Sequence, residues 1–351
     1  MKILLVQDRL RGGGTERQTV FLARAFAARG HAVTLLTFRP GGTLAAELTG
    51  SGVSHSALQS FDTGLDWFAP GLARAARALA PDIVLCMGRM ANCRAAQLQR
   101  ALRPTVVIAT VRTGKPLPWL YRHSLRAARQ VIVNSEFARR ILVAPETAAA
   151  RCTVIPNALL HAALFTTVPA PTTPPTLLCV AQFRPEKNQR ELLDIVTALP
   201  RPLDWRLEFV GDGPTRPSCE THAAVLGLGG RVKFHGWQAD PASFYRTAAV
   251  AVLTSRRESL PNFLVEAQCA GLPVVSYAVG GAAECFHDSN TGYLVPAGDR
   301  VSFTAALAEL LGQPERRAAM SAAAQAWARA QFAPDRQVEA HLALFARLLP
   351  R

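Results

Sequence analysis

The strongest constraint on the fold of this chain is a strand–helix alternation that starts at the first residues, breaks once near the middle, and restarts. In the first half, Lys2–Gln7, His31–Thr37, Asp82–Met87, Thr105–Thr110 and Gln130–Asn134 are short apolar runs that predict buried strands. Helices are expected over Thr15–Arg29 and about Leu120–Arg129. Such alternation predicts a parallel sheet covered by helices on both faces. Segment 166–176 interrupts it: four prolines among small polar residues predict a stiff extended connector. Beyond it, Leu177–Ala181, Arg206–Val210, Arg231–His235, Val250–Thr254 and Pro273–Tyr277 predict strands, Gln189–Ala198 a helix, and Asp335–Leu349 a final helix. The expected fold class is α/β with two doubly wound, Rossmann-like domains. The first spans 1–165, the connector 166–176 and the second 177–334, with a C-terminal helix (335–351) crossing back to the first. Doubly wound sheets collect ligands at their strand C-termini, so the two domains are expected to face a common cleft.

Composition removes several classes. At 351 residues the chain is long enough for two cores, and with 49% hydrophobic and 18% charged residues it is not a disordered chain. No apolar run approaches the ~20 residues that span a bilayer, and Met1–Val6 predicts a first strand rather than a signal peptide. Seven cysteines lie scattered without a C-x-x-C pair, which predicts reduced, buried thiols. The eight histidines have no metal-ligand spacing, so no metal is expected. The charge is uneven: residues 1–165 hold 21 basic against 8 acidic residues, and residues 166–351 hold 18 against 17. A basic first half predicts an anionic partner, whether a membrane surface, a phosphorylated lipid carrier or an acidic saccharide. The expected location is the cytoplasm, at the inner face of the plasma membrane. The pI of about 10.4 keeps nucleic-acid binding as a remote alternative, but no helix-turn-helix, zinc-finger, RRM or KH signature is present, so no nucleic-acid partner is expected.

Three stretches carry chemistry. Gly12-Gly13-Gly14 stand before Thr15, and Thr15 with Gln18 predicts a capping box and a helix start. The glycine N–H groups at a helix N-terminus suit an anion, although a tight turn with a good cap explains the same residues. Arg184 and Lys187 follow the first strand of the second half, where two cations could neutralise a diphosphate or simply be solvated. Glu258 lies in a loop, Pro261 predicts a helix start near Leu260, and Glu266 falls inside that helix. Two carboxylates flanking a helix start can hold hydroxyls of one extended ligand, with the N–H groups between them facing its phosphates.

Glu258 to Glu266, followed by Ala-Gly-x-Pro-Val-Val at Ala270–Val275, resembles the E-x7-E signature of the retaining GT-B glycosyltransferases of family 4. Gly12-Gly13 with Glu16, Asn134-Ser135-Glu136, Ile155-Pro156-Asn157, Arg184 with Lys187, Phe209–Pro214, Phe234-His235-Gly236 and Gly280-Gly281-x-x-Glu284 occur in the family's order over nearly the whole chain. The resemblance implies a transferase that moves a sugar from a nucleotide-sugar donor, most simply a UDP-sugar, to a surface glycan or lipid-linked saccharide. It implies retained anomeric configuration, and neither cofactor nor metal. Glu266 would receive the ribose hydroxyls and Glu258 those of the donor sugar. Arg184 and Lys187 would hold the diphosphate. The backbones of Asn262, Phe263 and Leu264, with Gly13, Gly14 and Gly211, would line the donor site. Ser259 and Leu260 replace the glycine common after the first glutamate. In Thr110–Lys115, Arg112 takes the place of a histidine common in the family, and its five donors suit an acidic or acetamido sugar or an acceptor phosphate. A nucleotide-sugar 2-epimerase or a phosphorylase on the same scaffold is the alternative.

Overall fold

The computed structural model describes residues 1–113, 116–140, 149–160, 166 and 170–349. The chain divides into two compact units, Met1–Leu160 with Pro334–Arg351, and His161–Ala333. Of the expected connector, residues 167–169 lie outside the described residues, as do Gly114 and Lys115 of the Arg112 stretch.

The first unit is built on a parallel sheet of strands β1 (Lys2–Gln7), β2 (Ala32–Thr37), β3 (Val53–Ala57), β4 (Ile83–Cys86), β5 (Val106–Val111), β6 (Gln130–Val133) and β7 (Cys152–Val154) in the order 3-2-1-4-5-6-7. Its described helices are α1 (Gly14–Ala28), α2 (Leu72–Leu79), α3 (Arg89–Cys93), α4 (Ala95–Ala101), α5 (Trp119–Ala127) and α6 (Glu136–Ala138). Strands β4, β5 and β6 bury every residue, as strands covered on both faces must. Leu4, Val6, Val84 and Val107 pack towards α2, α4 and α5, whereas Ile3, Leu5, Leu85 and Ile108 pack towards α1 and the C-terminal helix.

The second unit repeats the plan with β8 (Thr176–Val180), β9 (Arg206–Val210), β10 (Val232–Phe234), β11 (Val250–Leu253), β12 (Val274–Tyr277) and β13 (Gly292–Val295), all parallel, in the order 10-9-8-11-12-13. Around them run α7 (Gln189–Thr197), α8 (Arg216–Val225), α9 (Ala242–Thr247), α10 (Asn262–Cys269), α11 (Arg300–Gly312) and α12 (Pro314–Gln331). The final helix, α13 (Pro334–Leu348), belongs to the first unit, where Phe345 packs edge-on against Phe26 of α1 at 5.6 Å.

Several local expectations need correction. Thr15 does not cap α1: the N-cap is Gly13, and the Gln18 amide, buried, donates to Ala158 O at 2.7 Å. The tertiary bond outcompetes the local box because Gln18 lies on the buried face. Pro261 is the N-cap of α10, so that helix begins at Asn262 rather than near Leu260. The described connector residues are tied down, with Ala170 N on Arg246 O at 2.9 Å and Thr172 N on Thr247 O at 3.1 Å.

Candidate active site

In each parallel sheet the order in which strands are added reverses between two central strands, and loops leaving that switch point form the natural ligand crevice. In the second unit the switch lies between β8 and β11. The loop after β8 is anchored by Phe183, buried edge-on against Phe209 at 5.6 Å, whose N–H donates to Asp212 O at 2.9 Å. Arg184 then caps the short 3-10 turn Pro185–Lys187 and is exposed, with no ion pair among the described residues. Lys187 turns back, and its Nζ donates to Glu258 Oε1 at 2.6 Å. Glu258 stands on the loop after β11, so the pair bridges the switch point. The ammonium uses one of its three donors here and keeps two.

The loops are braced from behind. Asn188, in the left-handed region at φ 54°, accepts from the Thr254 hydroxyl at 3.0 Å and donates to the Glu191 carboxylate. The Glu191 carboxylate also accepts from the Tyr277 hydroxyl at 2.8 Å and from Arg300 Nε at 3.4 Å. Burial pushes the Glu191 carboxyl up, but the Tyr277 hydroxyl, the Asn188 amide and Arg300 outweigh it and hold it below its ordinary value. On the other side, Gly280 has φ +59°, and a Cβ there would lie 2.1 Å from Glu258 O. Gly281 N donates to Ser259 O at 2.8 Å. Gly280 thus lets one backbone lie flat against the Glu258 loop, a close approach that only glycine allows.

On α10, Phe263, Leu264 and Val265 bury their side chains, and Glu266 takes the remaining face. The fully buried Tyr245 of α9 donates its hydroxyl to Glu266 Oε2 at 2.5 Å, and its ring lies 6.1 Å from that of Phe263. Burial first, then the Glu266 charge, raises the Tyr245 phenol well above its usual value, so it is a fixed donor at neutral pH. No motif in the sequence marked Tyr245, Glu191 or Tyr277, because their roles depend on neighbours far along the chain. Two expected donor-site groups are otherwise engaged. Leu264 N donates to Pro261 O at 3.0 Å, and Gly211 N to Gly236 O at 2.8 Å. Gly211 instead permits close packing: at φ +139°, a Cβ would meet Ala181 O at 2.1 Å. Asn262 and Phe263 occupy the first two positions of α10, where helix geometry aims N–H groups outward.

In the first unit the switch lies between β1 and β4. Asp8 follows β1, and its carboxylate accepts from Met90 N at 3.0 Å and Ala91 N at 2.7 Å. Burial raises its pKa to about 6 despite these two bonds. Gly13 and Gly14 sit at the start of α1, but the Glu16 carboxylate lies over Gly13, where a Cβ would stand 2.4 Å from Oε2. The chain's own anion thus occupies the turn expected to receive a ligand's. Arg112 Nη1 donates to Asn157 Oδ1 at 2.5 Å, while its Nε and Nη2 are buried without a partner among the described residues. Burial lowers its pKa to about 10. Gln337 of α13 donates to Pro156 O at 3.0 Å, so Gln337, Arg112 and Gln18 hold the three consecutive residues Pro156, Asn157 and Ala158. Among the described residues no three His, Cys, Asp or Glu side chains gather into a cation-binding group, and no helix is long and apolar enough to cross a membrane.

Two family models match the chain in succession: Glycosyltransferase Family 4 over residues 12–159 and Glycosyl transferases group 1 over residues 163–327. The chain is 30% identical over 176 residues to the lipopolysaccharide core biosynthesis glycosyltransferase LpsE of Rhizobium meliloti, which covers 50% of this chain and 51% of that protein. It is 33% identical over 164 residues to a GDP-mannose-dependent alpha-(1-6)-phosphatidylinositol monomannoside mannosyltransferase of Mycolicibacterium smegmatis, covering 44% and 43%. The matched region therefore spans about half the length of these curated relatives or less. The crystal structure of Anabaena Alr3699/HepE in complex with UDP superposes with a TM-score of 0.84 at 20% identity, over 99% of this chain and 100% of that one. That likeness extends the shared fold, two Rossmann-like units of the GT-B class, across the full chain.

Proposed function

Because the chain belongs to glycosyltransferase family 4, we propose that it transfers a sugar from a nucleotide-sugar donor to a saccharide acceptor. The observation that carries the proposal is the Lys187–Glu258 pair across the switch point of the second sheet, with Arg184 exposed beside it. Arg184 and the two remaining Lys187 donors hold the donor diphosphate, and the N-terminal turn of α10 faces it with positive partial charge. Glu258 orients the donor sugar through its hydroxyls. Glu266, fixed by Tyr245, receives the ribose hydroxyls. UDP is the donor nucleotide, a choice supported by the Alr3699/HepE complex with UDP, although the mannosyltransferase relative uses GDP-mannose.

In the transfer, the bond from the sugar C1 to the phosphate oxygen breaks and its electron pair leaves on the diphosphate. The acceptor hydroxyl forms the new C1–O bond from the same face, and its proton passes to the departing phosphate. The two cations stabilise the developing charge, which makes leaving-group stabilisation the main catalytic task, and the step needs no divalent metal. The acceptor is a surface glycan or a lipid-linked saccharide, presented to the basic first unit at an anionic membrane. Incubating the protein with a panel of nucleotide-sugars and a saccharide acceptor in EDTA tests this. A new glycoside that keeps the donor's anomeric configuration, seen by proton NMR, is expected. An epimerised donor, or phosphorolysis of a glycoside, would overturn it.

A further inference from the structure

The loop after β3 exposes an unusual amount of apolar surface. Phe61 (70% exposed), Leu65 (42%), Trp67 (54%) and Phe68 (39%) fall within eight residues, and they are four of the nine large hydrophobics exposed in the described chain. This surface is held in place. The buried Arg39 donates to Asp62 and to Asp66, each at 2.6 Å, and to Gly64 O at 3.1 Å. Arg11 donates to Asp66 at 2.9 Å, and the buried Gln59 amide donates to Leu65 O at 3.1 Å and Phe68 O at 2.6 Å. The loop therefore turns its acids and carbonyls towards internal partners and its aromatic rings outwards, the reverse of an ordinary solvent loop. Contiguous exposed apolar groups mark a surface with an occupant.

The charge around it says which occupant. Residues 67–135 contain 11 Lys and Arg and a single acid, Asp82. Arg74 and Arg77 lie on α2, which follows the loop directly, while Arg100 lies on α4 and Arg103 just beyond it. Arg77 donates to Ala101 O at 3.1 Å, which joins the two helices, and Arg94 donates to Trp67 O at 3.4 Å, which joins the loop to them. Arg74, Arg77, Arg100 and Arg103 are exposed, and none pairs with an acid among the described residues. Aromatic rings beside unpaired arginines suit the boundary of an anionic bilayer, where the rings enter the acyl region and the guanidinium groups meet the headgroups. A second copy of this chain would bring the same positive charge to the contact and be repelled.

We propose that the 61–68 loop, with the outer faces of α2 and α4, docks this unit on an anionic lipid bilayer. The proposal gives a surface to the membrane contact inferred above and rests on that part of it alone, not on sugar transfer. Co-sedimentation with phosphatidylcholine vesicles containing about one-third phosphatidylglycerol, at low and high salt, is the test. The full chain should bind these vesicles, lose binding as salt rises, and ignore vesicles of pure phosphatidylcholine. Phe61→Ser with Trp67→Ser should weaken binding by roughly tenfold or more, since each ring's burial is forfeited. Arg100→Glu with Arg103→Glu should weaken it further and flatten the salt dependence, and Val225→Ser, an exposed residue of the other unit, should change nothing. Trp67→Phe should still bind but lose its share of quenching by lipids brominated in their acyl chains, a readout that a folding defect would not reproduce. Failure of the wild type to bind, or equal binding by the double-serine variant, would overturn the proposal. So would concentration-dependent dimerisation in sedimentation velocity that the serine variant abolishes. UDP binding measured on the same preparations keeps the two proposals separate: vesicle binding without UDP binding would refute only the donor site.

Discussion

Lys187 and Glu258 come from loops on either side of one switch point, so a double-mutant cycle on them tests the geometry on which the donor site depends. Lys187→Met removes the ammonium and keeps most of the stem, while Glu258→Gln removes the charge and keeps the shape. Their side chains are 25% and 9% exposed. That places the pair between exposed pairs, measured at ~0–1 kcal/mol, and buried ones, whose breaking costs ~3–5 kcal/mol. A coupling energy of about 1–2 kcal/mol is expected from urea unfolding of the two single variants and the double variant. Each kcal/mol shifts the transition of a unit this size by ~2–4 °C, so the coupling itself corresponds to about 2–8 °C. Titration calorimetry then separates binding from stability. Lys187→Met should weaken UDP binding by roughly tenfold or more, through loss of a charge-assisted phosphate contact, and leave uridine binding unchanged. A coupling below ~0.3 kcal/mol, within the error of additivity, or equal losses for UDP and uridine, would refute the reasoning.

Tyr245→Phe deletes only the hydroxyl that holds Glu266 and keeps the ring on Phe263. It should cost about 1.5–3 kcal/mol of stability by chemical denaturation and weaken UDP and uridine alike. Gly280→Ala would place a methyl 2.1 Å from Glu258 O at a positive φ. It should cost at least ~1 kcal/mol and lower transfer from the donor more than it lowers UDP affinity, as kcat against KM would show. His341 of α13 is fully buried, with Nδ1 2.8 Å from Gln337 O. Burial first, then the charge of Arg112, hold its pKa down to about 3 against an ordinary 6.5. The unfolded chain therefore takes up the proton first as pH falls, and the first unit should lose up to ~1.4 kcal/mol per pH unit between about 6.5 and 3. Comparing the pH dependence of unfolding in wild type and His341→Leu checks this, and equal slopes would contradict it.

The strands were legible because apolar runs in a sheet covered on both faces leave no other choice. Lys2–Gln7 and Arg206–Val210 have the expected bounds, and most others shift by one residue. Strands β3, β7 and β13 lacked that signal: β3 reads Val-Ser-His-Ser-Ala and is only half-buried at the sheet edge, and β7 has three residues. The ends of α1 and α10 were misplaced because Gln18 finds a distant carbonyl and Pro261 caps rather than enters its helix. Around the site, charge and spacing pointed to Lys187, Glu258 and Glu266, and the structure brings the first two into contact. The resemblance implies Gly211 in the donor-site lining, and what the fold adds is that its N–H bonds Gly236 O and its missing side chain makes room for Ala181. Tyr245, Asn188 and Glu191 support the site from positions that only the folded topology brings together.

The most direct test of the donor site is calorimetric titration of UDP into the wild type and into Glu266→Ala. Saturable binding at one site per chain is expected, weakened by roughly tenfold or more in the variant, since the half-buried acceptor for the ribose hydroxyls is lost. Undiminished UDP binding by Glu266→Ala, or no binding of UDP or GDP by the wild type, would contradict it.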